Sequence, residues 1–99
     1  MNYFEYKTGK LIINNTECEL TKIESEILRL LVGNKLRTYT EIYNRIYKVN
    51  VLEIDKENKK SIITHICRMR KKGLNISTKY NYGMKLLDKI VLMWGEKWK

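Results

Sequence analysis

The apolar positions along the chain change period twice. Over residues 3–20 they cluster in short runs or alternate with polar neighbours: Tyr3, Phe4 and Tyr6, then Leu11, Ile12 and Ile13, then Cys18 and Leu20. Lys7-Thr8-Gly9 and Asn14-Asn15 separate these runs. Gly and Asn tolerate the positive φ of tight turns, so the stretch predicts a three-stranded antiparallel meander. From Ile23 the spacing becomes helical, with Ile23, Ile27, Leu30 and Leu31 on one face. Thr21 followed three positions later by Glu24 predicts a capping box at the start of this helix, and Gly33-Asn34 a C-cap at its end. Thr38 and Glu41 repeat the box at once, ahead of Ile42 and Ile46 with Tyr43 and Tyr47 beside them. Two short helices this close together predict a helix-turn-helix pair.

Residues 48–58 lack a clean period and predict a structured loop. Asn58 reads as the cap of a third helix over residues 59–72, stopped by Gly73, with Ile62, Ile66 and Met69 as its buried stripe. At about 100° per residue, Lys60, Thr64, Arg68 and Lys71 fall on the opposite face. Ser61 and Cys67 lie at the edges of that face, and His65 and Lys72 on one flank. Residues 76–79 and 84–87 predict a hairpin whose tip is Tyr80-Asn81-Tyr82-Gly83. Beyond it, Ile90-Val91-Leu92-Met93-Trp94 is an apolar run that periodicity assigns to neither helix nor strand. The order is N-terminal antiparallel strands, three helices and a C-terminal β-hairpin. This predicts an α+β fold of the winged helix-turn-helix kind over residues 1–87, with residues 88–99 as a tail.

A chain of 99 residues, 43% of them hydrophobic, holds one core and one domain. No apolar run reaches the roughly 20 residues that span a bilayer, so no membrane partner is expected. The first residues, Met1-Asn2-Tyr3-Phe4-Glu5, lack a basic region followed by an apolar stretch, and no signal peptide is expected. Cys18 and Cys67 are far apart and show no metal-ligand spacing, so they read as free thiols of a reducing, cytoplasmic compartment. There is no Gly-rich phosphate loop, nucleophile–base arrangement or carboxylate pair of the kind catalysis needs. The expectation is a protein without enzymatic activity, metal or cofactor.

Charge changes the picture more. Twenty Lys and Arg against 11 Asp and Glu leave a net charge of +9, which favours polyanionic partners, nucleic acid first. The acidic residues stand mostly before position 58, whereas residues 59–85 contain none. That stretch instead carries Lys59, Lys60, Arg68, Arg70, Lys71, Lys72, Lys79 and Lys85. The third helix therefore predicts a basic outer face with short polar side chains between the charges. Such a helix suits the DNA major groove, where Arg takes both acceptors of guanine and Thr packs on the thymine methyl. Flanking lysines suit phosphates, which position the protein without reading sequence. The residues expected to contact double-stranded DNA are Lys60, Ser61, Thr64, His65, Arg68, Lys71 and Lys72, with Lys79 and Tyr80 of the hairpin.

From about Leu11 to Leu86 the sequence resembles the OmpR/PhoB-type effector domain, the winged-helix output module of bacterial response regulators. The resemblance rests on four blocks. Leu20-Thr21-Lys22-Ile23-Glu24 matches the family's "LT-x-x-E", and Thr38-Tyr39-Thr40-Glu41-Ile42-Tyr43 with Ile46-Tyr47 its second helix. Residues 60–72, KSIITHICRMRKK, match a recognition helix that usually ends "H-I-x-x-L-R-x-K". Ile76-Ser77-Thr78 through Gly83 matches the wing "I-x-T-V-R-G-x-G-Y". The resemblance implies sequence-selective transcriptional regulation. Thr64, His65 and Arg68 would lie nearest the bases, Lys60 and Lys71 near phosphates, and the wing beside the minor groove. It also implies a loop over residues 48–58 that touches RNA polymerase in some members, and binding to direct repeats as a head-to-tail homodimer.

Several positions depart from the family pattern. Tyr80 stands where the wing usually carries Arg, and Asn81 where Gly follows it. Ile63 replaces an acidic residue of the third helix, and Cys67 a common Arg. The module is expected to stand without a preceding receiver domain, and the tail is longer than usual. A stand-alone, Asn/Ile/Lys-rich version is expected of a phage or mobile-element regulator. The rival reading is a winged helix used as a protein-interaction module, docking a polymerase or host partner through loop 48–58 or through the tail with Trp94 and Trp98.

Overall fold

The computed structural model describes residues 2–79 and 82–93. Its elements run β1 (Asn2–Glu5), β2 (Lys10–Ile13), β3 (Thr16–Glu19), α1 (Lys22–Leu31), β4 (Arg37–Thr38), α2 (Tyr39–Tyr47), α3 (Lys56–Lys71), β5 (Ile76–Lys79), β6 (Gly83–Leu86) and β7 (Ile90–Met93). The result is a mixed α+β fold with two small sheets.

The N-terminal meander forms as its turn residues dictate. Asn14 and Asn15 adopt left-handed φ values of 52° and 64°, which reverse the chain between β2 and β3. Phe4 pairs with Leu11 and Leu11 with Cys18 across the strands, placing Phe4, Leu11 and Ile13 in the core. The opposite face carries Tyr3 against Ile12 and Ile12 against Glu17. The apolar run after the hairpin is a strand. β7 lies parallel to β1 with Phe4 opposite Leu92, giving the sheet order β3-β2-β1-β7. Residues 90–93 thus complete the first sheet, and Trp94 and Trp98 lie outside the described residues.

Both capping boxes are present. Thr21 Oγ1 accepts from the Glu24 amide while Glu24 Oε1 accepts from the Thr21 amide. Thr38 and Glu41 make the same reciprocal pair at the start of α2. α3 begins a turn earlier than its sequence predicts. Its cap is Asp55, whose carboxylate accepts from the Asn58 amide at 2.9 Å, rather than Asn58 itself. A charged cap also complements the positive end of the helix dipole, an advantage Asn lacks.

The second sheet has the order β4-β6-β5. Its hairpin pairs Ile76 with Leu86 and Thr78 with Met84, and β4 adds Arg37 against Met84. Nothing in the local pattern announces the two-residue β4. It exists because Gly83, facing Thr38, lets the backbones meet: a Cβ there would stand 2.0 Å from the Arg37 carbonyl oxygen. Asn34, in the left-handed region after α1, holds the far end of this sheet. Its amide donates to the carbonyls of Leu86 at 2.7 Å and Asp88 at 2.9 Å.

The helices share one core: Ile27, Leu28 and Leu31 of α1, Ile42 of α2, and Ile62, Ile66 and Met69 of α3. The buried α3 stripe is the one its spacing predicts. Among the described residues, no helix is long and apolar enough to cross a membrane.

Candidate nucleic-acid interface

With Ile62, Ile66 and Met69 held in the core, α3 must present its remaining faces to neighbours or solvent. Lys60, Thr64, Arg68 and Lys71 are exposed, as their spacing predicts. The two flanks differ. His65 and Ser61 are half-buried on one side, whereas Ile63 and Cys67 are exposed on the other. The open face of α3 is therefore rotated toward Ile63 and Cys67 and away from His65 and Lys72.

Lys72 belongs to the closed flank. Its ammonium donates to Glu24 Oε1 at 2.6 Å and to the Glu19 carbonyl at 2.9 Å, so it points into the fold instead of outward. Glu24 is 1% exposed. Burial alone would raise its pKa, but the Lys72 hydrogen bond, the Thr21 amide and the Lys72 charge outweigh that and hold the carboxyl below its ordinary value. The pair clamps the end of α3 to the start of α1. Lys72, expected at a phosphate, makes a contact within the fold.

The other flank faces the hairpin. Arg70 lies on the surface, yet its Nε and Nη2 donate to the Ile76 carbonyl at 3.0 and 2.7 Å, fixing the angle at which β5 leaves the helix. Lys59 sits over the Tyr39 ring, 5.4 Å from its centre, and links α3 to the first turn of α2. Burial pushes the Tyr39 hydroxyl pKa up, against the opposing field of Arg70. The Tyr39 amide donates to the Tyr82 carbonyl at 3.2 Å, so hairpin, α2 and α3 converge here. A shallow cleft of about 340 Å³, lined in part by Thr40, Leu52, Lys59 and Tyr82, marks the junction.

Within the exposed face, Thr64 Oγ1 donates to the Lys60 carbonyl at 3.0 Å, the back-bond of a helical threonine. Its proton is thereby committed to the backbone. Lys79 is exposed on β5, and Tyr80 lies outside the described residues. The structure thus brings Lys60, Thr64, Arg68 and Lys71 onto one surface and sets His65 and Ser61 at its margin. Sequence reasoning put Cys67 only at the edge and gave Ile63 no outward role. The signal that bears on them is Glu24, whose buried carboxylate takes Lys72 as its partner and so closes the opposite flank.

The loop between α2 and α3 forms a second surface. Asn44 exchanges hydrogen bonds with the Val51 backbone at 3.1 Å in both directions, which fixes the loop, yet Leu52 is 99% exposed beside exposed Val49 and Val51. Among the described residues, no three His, Cys, Asp or Glu side chains gather as a metal site would require. No family model, curated protein or solved structure matches this chain.

Proposed function

We propose that the chain is a winged-helix protein of the OmpR/PhoB type that binds double-stranded DNA sequence-selectively, without catalysis, to regulate transcription. The observation that carries this reading is the outward face of α3, where Lys60, Thr64, Arg68 and Lys71 are all exposed on a helix seated in the shared core. A helix of about 10–12 Å diameter fits a major groove about 12 Å wide. Arg68 then reaches base edges, and Lys60 and Lys71, about 16 Å apart along the axis at 1.5 Å per residue, reach phosphates on either side. The β5–β6 hairpin acts as the wing, with Lys79 on the adjoining backbone. The net charge of +9 supplies long-range attraction.

The test is selection of bound duplexes from a random pool, followed by affinity measurements across salt concentrations. Log K is expected to fall with log salt at about −0.9 per phosphate neutralised, and the selected site to return the spacing of any direct repeat. Absence of duplex binding at low salt would refute the reading. A second contact, with a protein such as RNA polymerase, is favoured by the exposed Leu52 on its pinned loop. Leu52→Asp is expected to impair transcriptional output while duplex affinity stays unchanged.

A further inference from the structure

We infer that Ile63 and Cys67, with the Thr64 methyl, form an apolar reading strip at the centre of α3 that recognises thymine methyl groups. The inference rests on the DNA-binding reading above and names what that site selects. Three observations converge on it. Ile63 is 39% exposed on a helix whose own core stripe is closed by Ile62, Ile66 and Met69, so part of this apolar side chain faces solvent outside the buried core. Cys67, one turn on, is exposed as well. Thr64 stands between them in sequence and gives its hydroxyl proton to the Lys60 carbonyl, leaving the methyl as its group with no hydrogen-bonding duty.

The chemistry at the ends of the strip is different. Lys60 precedes it and Arg68 and Lys71 follow it, so cationic side chains bracket an apolar middle. In the major groove, the base feature that apolar atoms recognise is the C5 methyl of thymine; the other edge groups are hydrogen-bond donors and acceptors. An isoleucine set against guanine O6 or cytosine N4 would instead leave a polar base group without water or partner. The strip therefore both favours thymine and disfavours G·C at the positions it covers, while Arg68 retains a guanine contact at the adjoining turn.

The experiment uses the full chain and the duplex selected from a random pool, resynthesised with deoxyuridine for thymine at single positions. Deoxyuridine keeps every hydrogen-bonding group and lacks only the methyl. At each contacted position the wild-type chain is expected to lose about fourfold in affinity, the value of one buried methyl-sized group. In Ile63→Ser and Cys67→Ser, changes at residues outside the buried core cluster, made in variants checked for an unchanged unfolding midpoint, the wild-type preference for thymine over deoxyuridine is expected to vanish at the position each residue covers. Equal wild-type binding of thymine and uracil duplexes, or a preference that persists in both variants, overturns the strip while leaving DNA binding in place. Failure of the wild-type chain to bind any duplex overturns the DNA-binding reading and the strip with it.

Discussion

The Lys72 ammonium lies 2.6 Å from the Glu24 carboxylate, and this contact ties the C-cap of α3 to the first turn of α1. Glu24 thereby does two things at once, since the same carboxylate also closes the capping box with Thr21. With Glu24 almost wholly buried, replacing Lys72 with Ala leaves a carboxylate without its cation. The expected loss is about 3 kcal/mol in folding free energy, the lower end for breaking a buried pair, measured by urea unfolding. Because the ammonium points inward, Lys72→Ala is expected to leave duplex affinity unchanged where the protein remains folded.

The same site sets an acid limit on stability. The folded Glu24 carboxyl binds its proton more weakly than the unfolded one, whose pKa is about 4.3. Its stabilising contribution is therefore complete above that value and fades as pH falls through the lower folded value. Glu24→Gln is expected to cost about 2 kcal/mol at pH 7, the scale of a hydrogen bond to a charged group. Wild type and variant should converge as pH falls through that lowered folded value. Unfolding curves at pH 7, 5 and 3 check this; a gap that stays constant with pH would show that the ion pair contributes nothing.

Gly83 offers a purely steric prediction. A Cβ at this position would stand 2.0 Å from the Arg37 carbonyl oxygen and 2.8 Å from the Thr38 Cα, both backbone atoms. Neither can rotate away as a side chain would. Gly83→Ala is expected to break the β4–β6 pairing and destabilise the fold by about 2 kcal/mol or more, within the range of overpacking. Amide exchange should show the loss at Arg37–Thr38 and along the hairpin first.

What the sequence makes legible follows the range of the interactions. The two capping boxes, the Asn14-Asn15 turn and the Ile62/Ile66/Met69 stripe depend on residues a few positions apart, and local spacing finds all of them. The start of α3 is harder, because Asp55 and Asn58 are both good caps and the choice between them depends on charge. β4 and β7 depend on distant partners, β6 and β1, so their short segments carry no period that assigns them, although the apolar run of β7 is visible. The rotation of the α3 face is of the same kind. A helical wheel centres the open face opposite the core stripe, but Glu24 and the Glu19 carbonyl draw Lys72 to one side, and Arg70 braces the other against Ile76. Two neighbouring elements decide which side chains remain open.

That rotation separates residues which the sequence alone treats as equals. Arg68 and His65 both belong to the stretch expected nearest the bases, yet Arg68 is exposed and His65 is half-buried on the Lys72 flank. Arg68→Ala is expected to cost about 1–3 kcal/mol in binding and to relax selection at one base pair. His65→Ala should cost much less, with its effect falling on stability. Lys71→Ala should weaken binding to all duplexes alike and reduce the salt slope by about 1, as loss of one phosphate contact requires. Titrations of the three variants against the selected duplex and a scrambled one, at two salt concentrations, distinguish these outcomes. If His65→Ala lost more selectivity than Arg68→Ala, the duplex would be approached by the opposite flank of α3, and the hairpin, fixed beside the other flank by Arg70 and Ile76, could not serve as its wing.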